Sequence, residues 1–225
     1  MKLLTGSGYV KTMLEISKPN FHLLKEAGCD VQWDDVVKFY HDVSEIELKT
    51  EHRMFLKKVE EYFGDRMDGV YVMPVLEKEV LELAELYGMP MSTGMAAAVL
   101  PNNLGMEIIA ISMDAMMWHP DAMHIIEHEF HHLKQIRRGD LQLGEDGNIQ
   151  WTGWDVPTTL CLTNNLDNYR FGCGDVKMLV HREITQKPWE AEAYALTLPV
   201  ARWDSYFNEA TKDYLMENWH KFNPN

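Results

Sequence analysis

Apolar residues recur at helical spacing through DDVVKFYHDVSEIELKTEHRMFLKKVEEYFG, which opens on Asp34 and Asp35 and ends at Gly64. With acids at its start and a glycine stop, this stretch is predicted to form one long helix or two in tandem. GVYVMPV, residues 69–75, reads as a short buried strand. Pro74, which lacks an N–H, marks its end or an edge position. LEKEVLELAELYG predicts an amphipathic helix stopping at Gly88. MAAAVLPNNLGMEIIAISMD holds two apolar runs around a proline–glycine turn, a hairpin signal whose second strand covers residues 106–113.

A further helix is expected from about Pro120 and Asp121 to Gly139, since proline is tolerated where first-turn N–H groups have no partner. LQLGEDGNIQWTGW reads as a second hairpin turning at Asp146 and Gly147. Pro188 starts another helix, PWEAEAYALTL, and WDSYFNEATKDYLMENWHKF supplies the last. The first thirty residues and residues 155–181 show no regular pattern. Helices and strands are mixed without strict alternation, so the class is α+β. No repeat, low-complexity tract or Gly/Ser linker divides the chain, which is read as one domain over residues 1–225.

A hydrophobic fraction of 46% suffices for a packed core, and a formal charge of -14 argues against a binder of nucleic-acid phosphates. It fits neutral or basic partners. Cys29, Cys161 and Cys173 are odd in number and lack CxxC spacing. They predict neither a disulfide framework nor a thiolate zinc site, but isolated thiols in a reducing compartment. No signal-peptide core and no apolar run of about 18 residues is found, so a cytosolic, non-membrane protein is expected.

The chemistry concentrates in HIIEHEFHHLKQ, which contains HExxH as His128, Glu129, Phe130, His131 and His132. On a helix, positions i and i+4 lie about 40° apart around the axis and one turn apart along it. His128 and His132 can therefore converge on one metal ion. Glu129 sits where a carboxylate can take a proton from a zinc-activated water, whose pKa falls towards ~7. Such a site needs a third protein ligand. HExxHxxGxxH would supply it, but Gln135 and Arg138 occupy those positions, which excludes the metzincin pattern. PWEAEAYA instead offers Glu190 and Glu192, about 200° apart on a helix, so that only one can face the ion. Glu190 is preferred, because Ala193 on the same face permits close approach and Tyr194 can reach a neighbouring oxygen. Glu192 stays the alternative.

HExxH followed by ExxA on a later helix resembles the gluzincin arrangement of the zincin metallopeptidases. More narrowly, HEFHHLKQ…WTG…PWEAEAYA resembles uncharacterised phage-encoded proteins with HExxHxxQ, W-x-G and PWExEA elements. The likeness covers residues 124–198. It implies a zincin-like fold: a small mixed sheet with a hairpin edge on the HExxH helix, a core over residues 69–200 and helical additions at both ends, residues 1–68 among them. It further implies Zn2+ at His128, His132 and Glu190 and Glu129 as general base, but no substrate; as a metallopeptidase the chain is expected to act on a peptide or protein, in the host cytoplasm or virion if it is phage-encoded. Tyr194 stands where ExxAD and ExxAN zincins carry an Asp or Asn.

Other residues carry weaker expectations. His124 and Gln135 lie near the ligand face and could contact substrate or orient a ligand, but read as surface or packing residues, and His131 points about 100° away from His132. His181 and Tyr169 are candidate oxyanion partners, and Trp151 and Trp154 read as core. Two rival functions remain in view. One is a catalytically inactive zincin-like protein that binds a host or virion protein. The other is a ferritin-like di-iron protein, using Glu129 with His132 and a second ExxH at Glu217 and His220.

Overall fold

The structure, a computed structural model, describes residues 1–26, 28–89, 96–100, 105–143, 149–152, 170–171, 178–179, 188–199, 201, 203, 207 and 209–222. It is α+β, with a small mixed sheet and several helices. The chain divides into two compact units, Met1–Met123 with Tyr169–Met178, and His124–Asn168 with Leu179–Asn225.

The first unit carries a four-stranded sheet in the order β1 (Lys2–Leu3), β2 (Tyr71–Val75), β4 (Ile108–Ser112), β3 (Ala97–Val99). β1, β2 and β4 are parallel, while β3 runs antiparallel to β4. Every residue of β4 is buried, so neither of its faces is open to solvent. Helices α1 (Gly6–Ser17), α3 (Trp33–Ser44) and α5 (Glu77–Leu86) join this sheet in one apolar core that includes Val10, Phe39, Val80 and Ala110. The long helical pattern resolves into α3 and α4 (Thr50–Phe63), and α4 closes on Gly64, whose φ of 52° and ψ of -135° glycine alone adopts without strain. Around them lie two short helices, α2 (Phe21–Glu26) and α6 (Met113–Met116). β1, α1 and α2 all fall in the stretch without a regular pattern; β1 and α2 are too short to establish a period, and α1 opens on Gly6 and Gly8, which carry no helix-start signal.

Cys29 is buried and disulfide-bonded, its partner lying outside the described residues. This corrects the expectation of isolated thiols: an odd count forbids complete pairing but not one bridge. Among the described residues, no helix is long and apolar enough to cross a membrane.

The second unit is built on α7 (Ala122–Arg138), of which residues from His124 onward belong to it, with α8 (Pro188–Thr197) and α9 (Glu209–Phe222). α7 stops where the sequence places the stop. Gly139, at φ 79°, lets its own N–H reach Ile136 O and that of Asp140 reach Gln135 O, satisfying two carbonyls of the last turn. The chain then enters the antiparallel pair β5 (Leu141–Leu143) and β6 (Ile149–Trp151). Thr152 fastens the far end of that hairpin to the helix stop by hydrogen bonds to Asp140 O and Gly139 O. α8 packs with Trp203, Phe207 and Leu215 through Ala191 and Ala195. A separate short pair, β7 (Arg170–Phe171) and β8 (Met178–Leu179), falls mainly in the second segment of the first unit.

Candidate functional site

The polar residues of α7 that are buried, His128, His132 and Gln135, lie one turn and then three residues apart. α8 begins at Pro188, whose missing N–H costs nothing in a first turn, and it carries small residues at Ala191, Ala193 and Ala195, all buried. Glu190 reaches the histidines. Its Oε2 is 3.0 Å from His128 Nε2 and 3.4 Å from His132 Nε2, and the two ring nitrogens are 3.1 Å apart. Three donor atoms from two helices, 62 residues apart in sequence, thus form a nearly equilateral triangle.

The triangle has the dimensions of a metal face. Donors about 2.0–2.1 Å from a tetrahedral ion sit roughly 3.3–3.4 Å from one another. Two imidazoles and one carboxylate, leaving one position open, also make a donor set suited to a divalent cation. A carboxylate oxygen of Glu129, which is half-buried, lies within 4.8 Å of a ring nitrogen of each histidine.

Gln135 sets the orientation of His132. It is 0% exposed, and its Nε2 donates to Trp189 O at 2.9 Å. A carbonyl can only accept, so the other end of the amide, Oε1, faces His132 Nδ1 at 2.8 Å, and that nitrogen must carry the proton. Nε2 is the ring nitrogen turned towards Glu190, where it donates its proton in the metal-free chain and is the atom free to bind an ion once that proton leaves. From the sequence Gln135 reads as a surface or packing residue that could orient a ligand, and the structure shows it orienting His132. Its position three residues after His132 was the available signal.

Glu192 points elsewhere. Its side chain, 1% exposed, accepts from Arg138 Nη2 at 2.6 Å, and Arg138 Nε also donates to Asp140 Oδ2 at 2.8 Å. Of the two α8 glutamates, only Glu190 joins the histidine pair. No local pattern announced Arg138 as the partner of Glu192. Tyr194 lays its ring against that of His128, with centroids 4.3 Å apart and tilted by 47°.

Electrostatics bind the triangle tightly. Burial opposes a charge on His132, but the Glu190 carboxylate at its Nε2 and Glu129 beyond it push its pKa up to about 9. Burial likewise opposes ionising Glu190, yet hydrogen bonds from His128 and His132 hold its carboxyl well below the usual carboxylate range. His131 stays outside this group. Burial, then the Lys134 cation, push its pKa down to about 3 and keep the ring neutral.

His124 is exposed. Glu217 and His220 are both exposed on α9, where a di-iron core would need them inward, and the sheet of the first unit does not suit a four-helix ferritin-like core. Tyr169, Trp154 and His181 lie outside the described residues, as does the side chain of Trp151. Compared with protein-family models, curated proteins and solved structures, the chain matches none.

Proposed function

We propose that this chain is a zinc metallopeptidase with a zincin-like catalytic arrangement, hydrolysing amide bonds in a peptide or protein substrate. The observation that supports this reading is the triangle of His128 Nε2, His132 Nε2 and Glu190 Oε2, with separations of 3.0 to 3.4 Å beside the Glu129 carboxylate. In this reading the three residues hold the ion. Bound zinc supplies Lewis acidity, polarising a carbonyl and making water more acidic. Glu129 accepts the proton of the attacking water and passes it to the leaving nitrogen. Gln135 fixes His132 so that Nε2 is the donor. A purely structural site has no use for a general base beside an open position, and Glu129 therefore favours catalysis over binding alone.

Plasma mass spectrometry on purified chain tests the site. The expected result is about one zinc per chain in the wild type and in Glu192→Ala, and loss of zinc in His128→Ala and Glu190→Ala. Glu129→Gln is expected to keep its zinc and lose roughly 10²–10⁴-fold in peptide hydrolysis. Zinc binding without any amide hydrolysis by the wild type would move the chain to the inactive, partner-binding class. No uptake of offered zinc would end the metal reading.

A further inference from the structure

The first unit holds a cavity of about 370 Å³ at the end of the sheet where its parallel strands finish. Thr5, just after β1, and Val75, at the end of β2, line it together with residues of α1, α3 and α5. Crevices beyond the carboxyl ends of parallel strands are where open α/β sheets bind ligands. The floor is buried and apolar, Phe39, Met73 and Val80 among it, while Thr5, Ile46 and Leu48 at the other side are exposed or half-buried.

Three observations define what fits. A cavity of ~150 Å³ accepts a benzene ring, so about 370 Å³ accommodates roughly fifteen non-hydrogen atoms. No residue lining the cavity carries a charge, and an ionised ligand would be desolvated without a counter-ion, which is costly. Lastly, Tyr9 is 9% exposed and its hydroxyl makes no hydrogen bond to a described residue, whereas the adjacent Tyr40 hydroxyl is matched by Ser17 Oγ at 2.7 Å. Packing of the two rings, with centroids 6.2 Å apart, holds Tyr9 in place. Burial and Tyr40 push its pKa well above the ordinary phenol value, which keeps the O–H available as a donor.

We propose that this cavity binds a neutral, mainly apolar small molecule of roughly fifteen non-hydrogen atoms, whose single accepting oxygen takes the Tyr9 O–H. The site is independent of the histidine centre and of its proposed activity.

Calorimetric titration of the full chain with methyl decanoate, sodium decanoate and decane tests it. The expected result is saturable binding of the ester, with the carboxylate weaker. Val43→Phe, which fills the cavity from α3, is expected to weaken the ester at least tenfold. Tyr9→Phe should weaken it about fivefold, the size of one net hydrogen bond, and leave decane unchanged. Tyr9→Phe removes only one oxygen and decides the matter if the larger replacement does not fold. Failure of the ester to bind would overturn the proposal. So would a preference for decanoate, binding untouched by Val43→Phe, or ester affinity unchanged in Tyr9→Phe.

Discussion

The two units bury polar groups in different ways. In the first, the buried polar side chains among the described residues are Thr12, His52 and Ser112: His52 Nδ1 accepts from Lys49 N–H at 3.2 Å, while Thr12 Oγ1 donates to Met106 Sδ at 3.9 Å and Ser112 Oγ to Glu77 Oε2 at 3.3 Å. In the second, buried imidazoles, an acid and an amide meet partners from distant chain. His128 meets Glu190 across 62 residues, and Gln135 meets Trp189 across 54, as Arg138 does Glu192. The first unit is therefore held mainly by apolar area, with no carboxylate, lysine or arginine among its described buried side chains. The second places ionisable groups in its interior and depends on each finding its partner. A fold that needs only stability has little reason to adopt the second arrangement.

The comparison can be broken most forcefully at Arg138. Arg138→Met leaves the Glu192 carboxylate buried without its cation, and the expected loss of stability is about 3 kcal/mol in denaturant unfolding, the low end for a broken buried pair because Arg138 itself is partly exposed. A loss under about 1 kcal/mol, the level of an exposed pair, would show that the Glu192 contact adds little.

Gln135→Met keeps the size of the side chain and removes both of its hydrogen bonds. Zinc affinity is expected to fall about 10–100-fold, as for other partners that orient a ligand histidine. Gln135→Glu should not restore it near neutral pH, because a carboxylate cannot donate to Trp189 O. Full affinity in both variants would reduce Gln135 to packing.

The subtlest difference is in pH dependence without metal. His132, held up at about 9 against an ordinary 6.5, contributes stability that is complete below pH 6.5 and lost as pH rises through 9. Glu190, held down from an ordinary 4.5, contributes stability that is complete above pH 4.5 and lost as pH falls through its lowered value. Both effects are full between pH 4.5 and 6.5. The gap in melting temperature between the metal-free wild type and Glu190→Gln is expected to be widest there and to close towards pH 9 and above. In the apolar core of the first unit, Ile108→Val should cost about 1 kcal/mol with no such profile. A flat difference for Glu190→Gln would remove the buried charge pair from the account.

The distance to a partner explains what was legible in the sequence. Periodicity and stop residues located β2, α5, α7 and the β5–β6 hairpin, because these depend on neighbours within one or two turns of chain. The break between α3 and α4 was left open, and the two-residue β1 was missed, since so short a strand has no period to detect. At the site, helical spacing alone aligned His128 with His132 and forced a choice between Glu190 and Glu192. It could not reveal that Arg138 takes Glu192, because that pairing exists only once α8 has come to α7. The disulfide of Cys29 escaped for the same reason.

The anchor of Gln135 has one more consequence. The group it holds on α8 is the main-chain oxygen of Trp189, not a side chain. Any amino acid at position 189 supplies that oxygen, so drift there leaves the spacing between Glu190 and His132 intact. Gln135 has no such latitude, since among side chains of its length only a primary amide accepts at one end and donates at the other. Random mutagenesis scored for metal retention should therefore find position 189 permissive and position 135 nearly invariant.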